Sequence, residues 1–264
     1  MAQPLFTVVV PTHKRLDSLK QTIAAINVQT LSNDLFDVVV VNDGEDPATS
    51  KWLAENSINF LAISQSGPAT ARNKGAASAA GKFIAFTDDD ALPEKEWLQS
   101  AAEYLKMNPA ERVLEGPVVA DGKPAPLTHY INHSGAGGFL TCNLIVEKSL
   151  FEKADGFNTA FLYPMNEDYD FALRIQKLTP IKFVEKMKVV HPVRKLSFLK
   201  VFSEAATYVS RRVASDRILY ELHTEEYRFV KAKKTSAETL KRQAMLYLFD
   251  EIRKTDNKLK HPFR

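Results

Sequence analysis

Lys82-Phe83-Ile84-Ala85-Phe86-Thr87-Asp88-Asp89-Asp90-Ala91 is the stretch that decides how this 264-residue chain is read. Mostly apolar residues run directly into three consecutive carboxylates. A short apolar run bounded in this way is the pattern of a buried strand in a parallel sheet. The charge then falls at the carboxyl edge of that strand, where open α/β sheets bind ligands. Side chains two apart in a strand share a face, so the spacing turns Asp88 and Asp90 toward one target and Asp89 elsewhere. Adjacent carboxylates repel one another, and a divalent cation is the usual way to make such a cluster favourable beside a low-dielectric core. A solvated acidic turn that caps the next helix fits the same residues, and on this stretch alone both readings stand.

The neighbouring segments repeat the strand-then-helix pattern. Leu5 to Val10 reads as a buried strand stopped by Pro11-Thr12-His13-Lys14-Arg15, since proline ends both strand pairing and helix continuation. A helix is expected from Ser18, where Ser18-Leu19-Lys20-Gln21 has the form of a capping box and Leu19, Ile23 and Ile26 follow at helical spacing. Phe36 to Val41 gives a second strand closed by Asn42-Asp43-Gly44, and Phe60 to Ile63 a third. An alanine-rich helix follows Gly67-Pro68, with Gly81 where a C-cap glycine belongs. Pro93 then opens a helix carrying Trp97, Ala101, Tyr104 and Leu105 on one face. This βαβ alternation predicts an α/β fold with a nucleotide-binding, mostly parallel sheet flanked by helices. Neither the dinucleotide Gly-X-Gly-X-X-Gly pattern nor a Gly-X4-Gly-Lys-Ser/Thr phosphate loop is present, which disfavours NAD or FAD in the usual Rossmann mode.

Beyond residue 110 the character changes. Gly116-Pro117 breaks a strand between Val113 and Ala120, and a loop rich in Pro, Gly, His and Asn runs from Asp121 to Gly138. Its Gly135-Ala136-Gly137-Gly138 end reads as a mobile segment, with a phosphate cradle as the alternative. Extended structure is expected from Phe139 to Val146 and from Ile181 to Val190, the latter ending in His191-Pro192. Between them Asn166-Glu167-Asp168-Tyr169-Asp170 opens a helix, where carboxylates also favour the helix dipole as simple caps.

The charge is unevenly spread. From His191 onward there are 17 Lys and Arg against 9 Asp and Glu, while the first 190 residues carry 18 against 23. The tail has an apolar stripe, Leu199, Phe202, Ala206, Val209 and Val213, at helical steps, with Arg211, Arg212, Arg217, Lys231, Lys233 and Lys234 nearby. It suits a helical extension over 195–264 that packs on the rest of its own chain, docks on an anionic membrane surface, or meets a second copy in a homo-oligomer. No nucleic-acid module is recognised, so nucleic acid is not expected as a partner. A lone Cys142 allows no disulfide within the chain and reads as a small core residue in a reducing compartment. With no signal-like leader and no apolar run near about 20 residues, the expectation is a cytoplasmic protein, or one peripheral at the inner face of a membrane.

Several local patterns together resemble family 2 glycosyltransferases, inverting enzymes of the GT-A fold that use nucleotide-activated sugars. Pro11-Thr12-His13-Lys14-Arg15, Val41-Asn42-Asp43-Gly44 and Gly67-Pro68-Ala69-Thr70-Ala71-Arg72-Asn73-Lys74-Gly75 look like the family's first three motifs. Phe86-Thr87-Asp88-Asp89-Asp90 is similar to its Asp-X-Asp motif and Glu167-Asp168 to its late acidic pair. The resemblance covers roughly residues 5 to 192. Two departures concern packing and the acceptor side: Asp155-Gly156-Phe157-Asn158 replaces the more usual Gly-Gly-Phe-Asp, and Thr87 stands where an aliphatic residue is commoner.

The resemblance implies a catalytic domain over 1–194, with a nucleotide-sugar half at 1–110 and an acceptor half at 111–194. It implies a nucleoside-diphosphate sugar donor, a UDP-sugar before a GDP- or dTDP-sugar, and a hydroxyl acceptor on a glycan, lipid-linked or polysaccharide precursor. Mn²⁺ or Mg²⁺ is the expected cofactor, held by Asp90 with Asp88 beside it and His191 as a further ligand. Asp168 is the expected base for direct displacement, and Glu167 the contact to sugar or acceptor. Pro11, Thr12, Arg15, Asp43, Arg72, Asp88 and Asp89 are assigned to the nucleotide sugar. A nucleotidyltransferase and a non-catalytic nucleotide-sugar-binding module remain the alternatives.

Overall fold

The computed structural model describes residues 3–122, 128–195, 211–212 and 214–223. The chain divides into two compact units, Met1–Asp121 with Ile131–Pro192, and Gly122–Tyr130 with Val193–Arg264. Every residue singled out above for binding or catalysis belongs to the first.

In chain order the first unit forms β1 (Phe6–Thr12), α1 (Leu16–Asn27), β2 (Phe36–Asp43), α2 (Pro47–Glu55), β3 (Phe60–Ile63), α3 (Pro68–Ser78) and β4 (Phe83–Phe86). A short β5 (Leu92–Pro93), α4 (Trp97–Met107), β6 (Val113–Glu115) and β7 (Val118–Asp121) follow. The second unit contributes β8 (Thr128–His129), and the first resumes with β9 (Leu144–Glu147), α5 (Lys148–Lys153), α6 (Glu167–Gln176), β10 (Lys182–Phe183) and β11 (Val189–Pro192). β12 (Arg194–Lys195) pairs antiparallel with β8 in the second unit.

Seven strands form the main sheet in the order β10-β6-β9-β4-β1-β2-β3. Only β9 runs against the rest, antiparallel to both β4 and β6. The chain steps outward from β1 to β2 and β3, then returns across β1 to place β4 on its other side. That reversal is a topological switch point, and the crevice beyond the carboxyl ends of β1 and β4 is where such a sheet holds a ligand. Both Pro11–Arg15 and the aspartate triplet emerge there because β1 and β4 lie side by side.

The centre of the sheet is apolar for a simple reason: it is covered on both faces. Phe6, Val8, Val9 and Val10 of β1 and Ile84, Ala85 and Phe86 of β4 are wholly buried. Val8 and Val10 pack with Leu19, Ile23 and Ile26 of α1, whereas Val9 faces Ala69 and Ala76 of α3. The alanines of α3 allow close approach, and Gly75 allows the closest. A Cβ there would lie 2.4 Å from Val9 Cγ1 and 3.1 Å from Val41 Cγ2. Gly75→Ala is therefore expected to lower stability by about 1–3 kcal/mol through overpacking, despite alanine's better helix propensity. A urea melt that shows no loss would remove the close approach as the reason for glycine.

Several boundaries differ from expectation, each for a local reason. β1 continues through Pro11 to Thr12, pairing with β2 as far as Thr12↔Asn42, while its pairing with β4 ends at Val9↔Phe86. Val9 O accepts from Thr87 N–H, so by strand alternation the missing N–H of Pro11 faces the side where β4 has already ended. α1 begins at Leu16, before the Ser18 box, with Arg15 at the N-cap position and no side-chain cap. α3 stops at Ser78 with Ala79 as its C-cap residue. Gly81 instead fits against β1, where a Cβ would lie 2.5 Å from backbone atoms of Phe6 and Thr7, and its N–H donates to Thr7 Oγ1 at 2.8 Å. Pro93 belongs to β5, and the helix starts only at Trp97.

The stretch 181–190 is two strands of different sheets, separated by a turn in which Met187 N–H donates to Val184 O. In place of one strand over 139–146, a single 3₁₀ turn at Thr141–Asn143 precedes β9. Asn143 explains that turn: it accepts from Trp97 Nε1 at 2.8 Å and donates to Pro117 O and Met187 O at 2.9 and 2.7 Å. A buried amide with all these bonds made ties α4, β9 and the approaches to β7 and β11 together.

In the second unit the described residues 211–212 and 214–222 are helical. Arg212 pairs with Asp216 at 3.2 Å and Arg217 with Glu221 at 2.7 Å, each one turn apart. The stripe Leu199, Phe202, Ala206, Val209 and Val213, and Lys231, Lys233 and Lys234, lie outside the described residues. No helix among the described residues is long and apolar enough to cross a membrane.

Candidate active site

The three aspartates stand past the end of β4, in a turn closed by Ala91 N–H donating to Asp88 O at 3.2 Å. The strand rule that would converge Asp88 and Asp90 therefore does not govern them: Asp88 turns to Arg72, while Asp89 and Asp90 share Arg15. Asp88 meets Arg72 of α3 at 2.9 Å. Asp89, wholly buried, accepts from Thr12 Oγ1 at 2.7 Å and pairs with Arg15 at 3.0 Å. Asp90 meets the same Arg15 at 2.6 Å and stands 3.6 Å from His191 Nε2. Asp89 is thus the anchor of the turn, tying it to the end of β1.

Two guanidinium groups, Arg15 and Arg72, supply part of the charge compensation that the carboxylate cluster needs. Arg72 is buried and forks between Asp88 and Glu167, with Nη1 2.8 Å from Glu167 Oε1. Burial alone would lower its pKa, but the charges of Asp88 and Glu167 outweigh that and hold the guanidinium protonated. The same fork ties the β4 turn to the head of α6. Phe157 lies under Arg72, 5.7 Å from ring centroid to guanidinium carbon, inside a cluster with Phe86, Phe151 and Phe171.

Phe157 is itself fixed by Asn73, which donates to Phe157 O at 2.7 Å and accepts from Phe157 N–H at 2.8 Å. The preceding Asp155 and Gly156 both have left-handed backbones, φ 62° and 58°. Aspartate is among the few residues that tolerate that region, which accounts for it in place of glycine.

The acidic pair at α6 divides in environment. Glu167 is buried on Arg72, whereas Asp168 is partly open and accepts from Tyr169 N–H at 2.8 Å. Crowding by protein around Asp168, then the charge of Glu167, pushes its carboxyl up to about 7. Burial pushes Asp89 up to about 6 against the pull of Arg15 and Thr12. Burial also raises the Cys142 thiol well above its ordinary value, consistent with a core residue.

At the end of β2 the Asp43 carboxylate accepts from Ser66 N–H at 2.7 Å and Gly67 N–H at 3.0 Å, fixing the turn into α3. Each carboxylate oxygen keeps a further lone pair. Pro11 and Thr12 lie opposite Val41 and Asn42 in the sheet, so the first two motifs form one edge. His13, not singled out from the sequence, bonds to Asp43 O and fills the space beside Gly44, where a Cβ would come within 2.9 Å of its ring. A separate hollow of about 480 Å³, lined by Lys20, Asn27, Trp52 and Asn59 among others, opens at the start of β2, at the far end of that strand from Asp43.

For a metal ion, Asp90 Oδ1 and His191 Nε2 stand 3.6 Å apart; the carboxylate is the donor type that Mg²⁺ and Mn²⁺ take, and the imidazole one that Mg²⁺ takes less readily. Among the described residues no group of three or more His, Cys, Asp or Glu side chains forms a full protein cage.

The sequence model of glycosyl transferase family 2 matches residues 7–174, from β1 into α6. The chain belongs to glycosyl transferase family 2. Relatives include the amylovoran biosynthesis glycosyltransferase AmsB of Erwinia amylovora, 30% identical over 203 residues that cover 68% of this family 2 chain and 66% of that protein. An uncharacterized glycosyltransferase of Rickettsia conorii is 29% identical over 106 residues, 39% of this chain, which spans only 17% of that protein's length. Among solved structures, S. aureus TarS in complex with UDP-GlcNAc superposes with a TM-score of 0.58 at 19% identity, covering 94% of this chain and 80% of that one. Its UDP complex gives 0.59 at 18% identity, covering 98% and 92%. The α/β architecture is accordingly that of the GT-A fold of family 2.

Proposed function

We propose that this family 2 chain is an inverting glycosyltransferase that moves a sugar from a nucleoside-diphosphate donor, a UDP-sugar first, to a hydroxyl acceptor. The observation that carries the reading is Arg72, whose single guanidinium couples the Asp88 turn to the Glu167-Asp168 pair. One side of that coupling suits a diphosphate and the other an acceptor hydroxyl. The TarS structures with UDP-GlcNAc and UDP support the choice of nucleotide.

Asp43 accepts an N–H of the base with its remaining lone pairs, and Pro11 and Thr12 border the ring. Arg15, 44% exposed at its side chain, is placed to turn from Asp90 toward an incoming phosphate. Asp90 and His191, with Asp88 beside them, would hold Mn²⁺ or Mg²⁺, which as a Lewis acid neutralises charge on the departing diphosphate. Asp168 takes the proton of the acceptor hydroxyl as that oxygen attacks the anomeric carbon from the face opposite the leaving group. Glu167 is committed to Arg72 through one oxygen, and its second oxygen is buried without a hydrogen-bond partner, an acceptor that a sugar or acceptor hydroxyl would satisfy on reaching it.

The test is incubation with UDP-glucose, UDP-galactose and UDP-GlcNAc, with Mn²⁺ or Mg²⁺ and with EDTA, following released UDP. Release stimulated by Mn²⁺ or Mg²⁺ and by glycoside acceptors is the expected result. Pyrophosphate release from UTP and sugar phosphate would point to nucleotidyl transfer, and binding without turnover to a binding module.

The pH dependence has a definite sign. A base must be deprotonated, so kcat/KM is expected to rise about tenfold per pH unit below about 7 and to level off above it. A profile already flat at pH 5 would remove Asp168 as the titrating base.

A further inference from the structure

Glu115 ends β6 and is 3% exposed, a carboxylate in the interior that none of the steps above uses. Its strand is held on both sides, paired with β10 at Phe183 and with β9 at Leu144. Both of its oxygens are spent on one short segment: Oε1 accepts from Gly137 N–H at 2.6 Å and Oε2 from Phe139 N–H at 2.9 Å. The glycine segment expected to be mobile, or to cradle a phosphate, thus has these two N–H groups turned inward onto a carboxylate of its own chain.

The segment is shaped to make those bonds. Gly137 and Phe139 both have left-handed backbones, φ 88° and 50°. Gly138 lies against His133, where a Cβ would come within 2.2 Å of the ring. A left-handed phenylalanine persists only where its surroundings over-determine it, and here the two amide bonds to Glu115 do so. The result is a fixed direction for the Phe139 ring, which packs on Tyr169 at 6.1 Å between centroids. Tyr169 follows Asp168, and its N–H is the donor to the Asp168 carboxylate.

We infer that Glu115 is a positioning residue for the acceptor side of the site, acting through the Gly137–Phe139 segment and the Phe139–Tyr169 contact to set the wall beside Asp168. The inference rests on the reading of Asp168 as the base. It assigns the specificity for the acceptor partly to a buried carboxylate outside the five sequence motifs.

Two variants separate this role from a general loss of folding. Glu115→Gln keeps the shape but replaces one acceptor oxygen by an amide donor that faces an N–H. Phe139→Ala leaves the backbone bonds possible and removes the ring contact. With the UDP-hexose that the wild-type protein turns over and p-nitrophenyl glycosides as acceptors, both variants are expected to raise acceptor KM about tenfold or more. Donor KM and the slow hydrolysis of donor by water should stay within about twofold. The double variant should be no worse than Glu115→Gln alone, because both changes cut one chain of contacts.

Amide exchange gives a readout that needs no turnover. Glu115→Gln should speed exchange at Gly137, Phe139 and residues 167–170, and Phe139→Ala at 167–170. Faster exchange confined to 137–139 with unchanged acceptor KM, or additive effects in the double variant, would overturn the inference. Full turnover by an Asp168→Asn variant would instead sink the base reading, and exchange at 167–170 would still judge the Glu115 chain by itself.

Discussion

Asp168→Asn is expected to reduce sugar transfer by about 10²–10⁴-fold, the range that a positioned general base contributes. Donor affinity, measured by UDP titration, should change by less than about twofold. The substitution is nearly isosteric, and an asparagine Oδ1 still accepts the Tyr169 N–H that Asp168 accepts now at 2.8 Å. Glu167 remains on Arg72, so the coupling between α6 and the β4 turn survives. Because only the proton acceptor is lost, the pH profile of the residual activity should also lose its rise through about 7. Normal turnover in this variant would move the base elsewhere.

Arg72→Met is the substitution with the largest expected effect on stability. It leaves Glu167, 3% exposed, and the partly buried Asp88 without their common cation. Breaking a buried pair on one side typically costs about 3–5 kcal/mol, since the surviving charge stays desolvated. Thermal denaturation should therefore show a Tm lower by roughly 10 °C, at the about 2–4 °C per kcal/mol usual for a domain of this size. Adding Glu167→Gln should return much of that stability, because a neutral amide tolerates burial better, while activity stays lost. Arg72→Lys should fall between, as a point charge cannot fork to both carboxylates. A loss below about 1 kcal/mol in Arg72→Met would show that the fork is not what secures α6 to the turn.

The order of elements up to α4 was legible because each strand is a short apolar run bounded by turn residues, and the helices between carry helical periodicity or alanine. What the sequence hid were features set by a distant partner. Pro11 reads locally as a stop, yet the strand passes through it because β4 has already ended on that side. Gly81 reads as a helix cap, but its reason is the backbone of Phe6 and Thr7.

The site shows the same division. Four of the candidate residues, Arg72, Asp88, Asp90 and Glu167, come from the sequence motifs, and the fold sets Arg72 between Asp88 and Glu167 and His191 beside Asp90. Their pairings were not legible. A triplet of aspartates suggested a missing cation, while Arg15, 75 residues in sequence from Asp90, and Arg72, 16 from Asp88, already sit on it. Asn143 and Glu115 carried no local signal at all. Each is a single polar residue in an apolar run, and only the folded chain reveals which backbone groups it satisfies.

The Asn143 joint gives the protein an optical property. Of its two tryptophans, Trp97 is wholly buried with its indole N–H bonded to Asn143, and Trp52 is half-buried beside Lys20. Trp97 should therefore emit at short wavelength and resist aqueous quenchers, so that in a Trp52→Phe background the fluorescence follows one contact. That contact also holds the backbone of Met187, just ahead of the strand that bears His191. A shift in emission would then show the histidine strand loosening before any loss of the fold is visible.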